Sequence, residues 1–275
     1  MEIKALTKSF PRNGRDAFSA GLPVLRDINL SIRENEFVCI VGRSGAGKTT
    51  LISLIAGLID PDSGEILLDG KPINGPGPDR GVIFQNYSLL PWLNVFENVH
   101  LAVDAVEPEL SEKQKRERTE HYVNLVNLSA ALKKYPRELS GGMRQRVAVA
   151  RGLAIDPKVL LLDEPFSALD ALTRAMLQEE LARIWMETRK TVVMITNDID
   201  EAILLADTIY TLTSSPGATL GPAISIDTGH PRSRAQLSGQ SAYQMARRET
   251  MRLLSIGKKK KTKTARALGE SILIN

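Results

Sequence analysis

Cysteine, histidine, strong net charge and long apolar runs are scarce or missing in this chain of 275 residues. With one cysteine no internal disulfide can form, and a reducing compartment is the easier reading. That residue, Cys39, lies in the apolar run Phe37-Val38-Cys39-Ile40-Val41, where a free thiol behaves as a small buried hydrophobe. No run approaches the roughly 20 apolar residues needed to cross a bilayer, and Met1-Glu2-Ile3-Lys4 does not open a signal peptide, so a soluble chain is expected. The net charge is only +4, and it gathers at Lys258-Lys259-Lys260-Lys261-Thr262-Lys263. That run reads as a solvated, partly disordered tail, with contact to anionic lipid or a partner subunit as the alternative. Nucleic acid is not an expected partner, and no internal repeat is visible.

What the chain does have is an ordinary globular composition, 43% hydrophobic and 25% charged, enough for one large domain or two small ones. Residues 1 to 40 alternate short β-type segments with turns. Pro11 to Asp16 and Gly21-Leu22-Pro23 read as a long hairpin-like excursion between two strands. Phe37 to Val41 then feeds a glycine loop and a helix starting near Lys48. Glu65 to Leu68 before Asp69-Gly70 reads as a hairpin strand, and Val82 to Phe84 as the next one. From Val95 to Arg151 the pattern turns helical, with a charged stretch at Ser111 to Glu120 and a helix start at Ser140. An α/β alternation returns with a strand at Val159 to Leu162, a helix at about Ala171 to Arg189, a strand at Thr191 to Ile195, a helix near Glu201 to Ala206, and a strand at Ile209 to Leu212. Gln240 to Leu254 suggests a short amphipathic helix packed on the body.

Gly42-Arg43-Ser44-Gly45-Ala46-Gly47-Lys48-Thr49 fits G-x-x-x-x-G-K-[ST] between a strand and a helix. Its glycines let backbone N–H groups converge on a β-phosphate, and the following helix, opening with Thr49 and Thr50, adds its positive end. Lys48 is expected to neutralise the β- and γ-phosphates and Thr49 to ligate Mg²⁺. Leu160-Leu161-Leu162-Asp163-Glu164 is an apolar strand ending in two carboxylates, where ligands of parallel sheets sit. Asp163 is expected to hold Mg²⁺ through water, and Glu164 to accept a proton from the attacking water. Gln85, after Gly81-Val82-Ile83-Phe84, carries an amide able to touch Mg²⁺ or water; alone it reads as a surface loop residue, and only its order between the stronger motifs favours the first reading. Phe10 is read as stacking on adenine, with a core phenylalanine as the alternative. Leu139-Ser140-Gly141-Gly142 places a capping serine and two glycines at a helix start, which exposes backbone donors to an anion; a capped surface helix is the alternative.

Taken together, the phosphate loop, Gln85, Leu139 to Arg146, Leu160 to Pro165 and Ser167-Ala168-Leu169-Asp170 resemble the ATP-binding subunit of an ABC transporter over roughly residues 1 to 213. The resemblance implies an α/β fold, a P-loop NTPase core (ABC ATPase) with an antiparallel β subdomain and an inserted α-helical subdomain at about 88–155, followed by a C-terminal extension at 214–275. It implies ATP and Mg²⁺ as cofactors, and a head-to-tail pairing with a second ABC ATPase subunit. In that pairing Ser140, Gly141 and Gly142 would contact the partner's γ-phosphate and Asp170 would lie at the dimer seam. Gln85 and the helical insertion would relay nucleotide state to integral membrane permease subunits, with a solute-binding component completing the transporter on the cytoplasmic face of the inner membrane. Gln85 to Trp92, Leu212 to Leu220 and His230-Pro231-Arg232 look like the nitrate, bicarbonate, cyanate and sulfonate importers, the nitrate and bicarbonate type above all.

One position departs from the family pattern. Where a histidine usually follows the strand Thr191 to Ile195, this chain reads Thr196-Asn197-Asp198, and its three histidines, His100, His121 and His230, lie elsewhere. Asn197 can still donate from a neutral amide, so the cost of the missing imidazole is bounded by the roughly 10² to 10³ in rate of losing one transition-state donor. A slow or mainly binding site, beside a non-identical partner that carries hydrolysis, is the expectation. A soluble ABC protein of repair or of the ribosome fits less well. Only about a hundred residues separate Gly42 from Ser140, and one cassette is present. A non-hydrolysing sensor is opposed by Glu164.

Overall fold

The protein is described from a computed structural model covering residues 1–11, 21–233 and 240–270, with backbone alone from 256 onward. Two sheets organise it. Strands β1 (Glu2–Phe10), β2 (Leu22–Ser31), β4 (Ser63–Leu68) and β5 (Lys71–Pro72) form an antiparallel sheet in the order β2-β1-β4-β5. Strands β3 (Phe37–Gly42), β6 (Arg80–Ile83), β7 (Val159–Asp163), β8 (Thr191–Thr196), β9 (Thr208–Leu212) and β10 (Ile224–Ser225) form the second, in the order β10-β9-β3-β8-β7-β6. Within it β9, β3, β8, β7 and β6 run parallel, and only β10 is antiparallel. The hairpin-like excursion is flanked by β1 and β2 as expected; residues 12–20 within it lie outside the described residues.

The parallel strands read as unbroken apolar runs because both faces are covered. Successive side chains of a strand point to opposite faces, and here they enter two different cores. Phe37, Cys39 and Val41 of β3 join one cluster, with Leu160 and Leu162 of β7, while Val38, Ile40, Val159 and Leu161 join the other. The second cluster also holds α1 (Lys48–Ile55) and the apolar face of the antiparallel sheet. The first holds the helical side: α2 (Val95–Val106), α3 (Glu112–Leu125), α4 (Gly141–Ala154), α5 (Ala171–Thr188) and α6 (Ile199–Leu205). Cys39 is fully buried, and burial raises its thiol well above the ordinary value, as an inert core residue requires.

Local signals account for most boundaries. Asn94 and Glu97 form a reciprocal capping box at α2, and Ser111 with Gln114 forms another at α3. Asp69 and Gly70, both at positive φ, turn β4 into β5. Some elements shift by a residue or two from expectation: β4 begins at Ser63, β6 covers Arg80–Ile83, and α6 begins at Ile199 because Asp198 caps it.

The C-terminal part differs more. Among the described residues beyond Ser214, β10 extends the central sheet, and Ile224, Ile226 and Ala246 enter the helical-side core. Arg232, 6% exposed, donates to the carbonyls of Ile203, Ala206, Ile226 and Thr228. The expected short helix is α7 (Ser241–Glu270), packed on α6 and β9, and far longer than Gln240 to Leu254. The basic run, expected as a partly disordered tail, falls within its helical backbone. Among the described residues no helix is long and apolar enough to cross a membrane.

Candidate nucleotide site

The sheet order brings four motifs to one edge. Val41 is level with Thr196, Ile195 with Asp163, and Leu162 with Ile83, so Gly42 and Asp163 end, and Gln85 and Asn197 follow, neighbouring parallel strands at their carboxyl ends. This is where α/β sheets place ligands. Residues 43–47 form the turn from β3 into α1, and Gly47, its N-cap, sits in the left-handed region at φ 97°. A Cβ there would come within 2.8 Å of Val24 Cγ1, so glycine is demanded both by the backbone and by the close approach of β2.

Lys48 is 4% exposed and its Nζ donates to the carbonyls of Gly42 at 2.8 Å and Arg43 at 3.0 Å. The same Nζ lies 3.0 Å from Glu164 Oε1. Thr49 Oγ1 donates to Asp163 Oδ1 at 3.3 Å. Burial raises the Asp163 carboxyl, and Glu164 raises it further, while the Thr49 hydroxyl and Lys48 oppose. A hydroxyl beside a carboxylate short of positive charge fits a hard cation that takes oxygen ligands. Among the described residues there is no cluster of three or more His, Cys, Asp or Glu that could hold an ion. Glu164 itself has φ 44°, an uncommon conformation for a side-chain-bearing residue, and its N–H donates to Ile195 O at 3.0 Å.

Gln85, just past β6, is tied to the segment after β7. Its Nε2 donates to Ser167 Oγ at 3.1 Å, and that hydroxyl donates to the Glu164 carbonyl at 2.9 Å. Asn197 is exposed just past β8. Phe10 is 41% exposed at the end of β1, with Lys8 Nζ 5.7 Å from its ring centroid, so the core alternative is set aside.

Ser140 caps α4, its hydroxyl accepting from the Met143 N–H at 3.2 Å. Asp170 caps α5 by accepting from the Thr173 N–H at 3.0 Å, which holds its exposed carboxyl below the ordinary value. Gly142 has an additional reason to be glycine: a Cβ there would stand 2.7 Å from Thr173 Cγ2. Gly141 is less constrained, its added Cβ standing 3.2 Å from Leu169 Cδ2. The helix that Ser140 opens, α4, lies with α5 in the helical-side core, and the helix after the phosphate loop, α1, in the core shared with the antiparallel sheet.

Two groups escaped the sequence reading. Arg151 donates to the carbonyls of Ser88 at 2.6 Å and Tyr87 at 3.1 Å, both residues at positive φ, while the Arg144 guanidinium lies 5.7 Å from the Tyr87 ring. The segment after Gln85 is thus clamped to α4; the seven-residue spacing of Arg144 and Arg151, which returns them to one helix face, was the available signal. Glu201 is the second, a buried acid behind Asn197 with no local signature.

The model of the ABC transporter family matches residues 25–167. The chain is 50% identical over 230 residues to the nitrate import ATP-binding protein NrtD of Synechococcus elongatus, covering 84% of each. It is 52% identical to the nitrate import ATP-binding protein NrtC of the same organism, again over 84% of this chain but only 35% of that longer protein. The bicarbonate transport ATP-binding protein CmpD of that organism is 49% identical over 80% of this chain and 79% of its own. Among solved structures, a dimeric ATP-binding cassette in a post-hydrolysis state with ADP and Pi superposes with a TM-score of 0.71, at 31% identity over 83% of this chain and 99% of that one. On this geometry and these likenesses, the chain belongs to the ABC transporter family, as an ATPase similar to the nitrate and bicarbonate import ATP-binding proteins.

Proposed function

We propose that this chain powers import of a small inorganic anion, nitrate or nitrite foremost, as the ATP-hydrolysing subunit held by permease subunits on the cytoplasmic face of the inner membrane. The observation that carries the chemistry is the pairing of Lys48 with Glu164 beside the pairing of Thr49 with Asp163 at one strand edge. The names of the relatives support the solute class. Phosphates seated on the loop's N–H groups compete for Lys48 with the Gly42 and Arg43 carbonyls and with Glu164. Glu164, released from the ammonium, accepts a proton from the water that attacks the γ-phosphorus as the bond to the β-phosphate oxygen breaks. Thr49 and Asp163 would hold Mg²⁺, which supplies positive charge against the phosphate oxygens; Asn197 donates its amide to the γ-phosphate.

The likeness to a dimeric ATP-binding cassette and to the two nitrate import ATP-binding proteins of one organism supports a second subunit, whose nucleotide meets Ser140, Gly141 and Gly142 of this one. Asn197 favours a non-identical partner that carries most of the hydrolysis, with a solute-binding component delivering the anion outside. ATP turnover of the complete transporter in vesicles, with its binding component, tests the solute: nitrate is expected to stimulate it, and stimulation by bicarbonate or a sulfonate alone would reject the choice. In the same assembly Glu164→Gln is expected to leave most turnover in place, and its complete loss would sink the asymmetric reading.

A further inference from the structure

Glu201 is an acid 3% exposed on α6, and its two oxygens are used on different elements. Oε1 accepts from Gln178 Nε2 of α5 at 2.7 Å, and Oε2 accepts from the Thr196 hydroxyl at the end of β8. Thr196 Oγ1 in turn accepts from the Asp198 N–H at 3.0 Å, and Asp198 Oδ1 accepts from the N–H groups of Asp200 at 2.9 Å and Glu201 at 3.1 Å. Asn197 therefore stands between two residues, each held by this cluster. Gln178, fully buried, lies two turns into the helix that Asp170 caps. A buried carboxylate is expensive unless fully hydrogen-bonded, and an apolar side chain of like volume would fill the space more cheaply. Burial raises the Glu201 carboxyl above its ordinary range, against the Thr196 and Gln178 hydrogen bonds.

We propose that Glu201 is a positioning residue: through Thr196 and Asp198 it fixes where Asn197 presents its amide, and through Gln178 it ties that position to α5. The proposal rests on the reading of Asn197 as a γ-phosphate donor. The group acts through its neighbours and touches no phosphate itself, so the signature is a loss specific to the γ-phosphate.

The test is the preference for MgATP over MgADP, from titrations of the full chain carrying Glu164→Gln so that hydrolysis does not intervene. Asn197→Ala is expected to lower the preference, and Glu201→Gln to lower it by about threefold to tenfold, the scale of one hydrogen bond. Combined, they should lower it no further than Asn197→Ala alone, because groups acting through one contact are not additive. Thr196→Val, which removes the hydroxyl and keeps the shape, should repeat the effect if Glu201→Gln fails to fold, and Thr196→Ser should restore it. Equal weakening of MgATP and MgADP, or full additivity with Asn197→Ala, would overturn the proposal. If Asn197→Ala lowers the preference while Glu201→Gln and Thr196→Val do not, this proposal alone fails. If Asn197→Ala leaves the preference unchanged, the γ-phosphate reading fails and takes this one with it.

Discussion

Lys48 Nζ stands 3.0 Å from Glu164 Oε1, although 116 positions separate them in sequence. The cation assigned to the phosphates and the carboxylate assigned to the attacking water neutralise each other at the mouth of the loop. On the proposed reading, seating a triphosphate and freeing the base are one event, and separate substitutions should divide binding from turnover.

Lys48→Ala is expected to weaken MgATP binding by about 10-fold to 100-fold, the value of a charge-assisted hydrogen bond. Glu164→Gln should bind MgATP as well as the parent or better, since it removes the competitor for Lys48, while turnover at this site falls by about 10² to 10⁴. Nucleotide titrations and single-turnover assays separate the two. Equal loss of binding in both variants would refute the division of roles.

Asn197→His tests the departure from the family pattern. If an imidazole there is what this site lacks, turnover by the purified chain should rise, by at most about 10² to 10³. An unchanged rate would mean that the Asn197 amide serves equally well, and would remove the main reason for a non-identical partner.

Gly142→Ala should cost stability even though alanine is about 1 kcal/mol better than glycine inside a helix. The added Cβ meets Thr173 Cγ2 at 2.7 Å, and overpacking of this kind costs about 1 to 3 kcal/mol. In a Thr173→Ala background, which deletes the clashing methyl, the same change should become stabilising. Urea unfolding of the four chains decides it. Destabilisation that persists without the methyl would show that the cost lies elsewhere.

Asp207 should give the C-terminal segment an acid-sensitive attachment. Its Oδ2 accepts from the Phe37 N–H at 2.9 Å and its Oδ1 lies 3.1 Å from His230 Nε2. Burial works to raise the carboxyl, but the hydrogen bonds from His230 and Phe37 and the nearby positive charge prevail, leaving it below the ordinary value. A depressed folded pKa contributes stability that is complete above the unfolded value of about 3.9 and is lost as pH falls through the folded value. Asp207→Asn should therefore destabilise at pH 7, and the gap to the parent should narrow as pH drops below about 4. A gap independent of pH would show that the charge of Asp207 is not what holds the segment.

The sequence alone was enough for whatever depends on a few consecutive residues. The phosphate loop needs glycine at Gly47 because its φ is 97°, and the helix starts after Ser140 and Asp170 were readable because a cap bonds to N–H groups two or three positions on, whereas the start at Asp198 was placed two residues late. The unbroken apolar runs of β3 and β7 made their burial on both faces legible as well. Tertiary structure decided what depends on which strands are neighbours. The order β3-β8-β7-β6 sets Gly42, Asn197, Asp163 and Gln85 along one edge, turns Lys48 onto Glu164, and aims Gln85 at Ser167. It also gave Gly142 its packing constraint against Thr173, clamped Tyr87 and Ser88 with Arg151, and drew 214–233 into the core through Arg232. The spacing of Arg144 and Arg151 marks a shared helix face, but no local pattern names the partner in any of these pairings, because a side chain's hydrogen-bonding capacity names none until the backbone has brought one within about 3 Å.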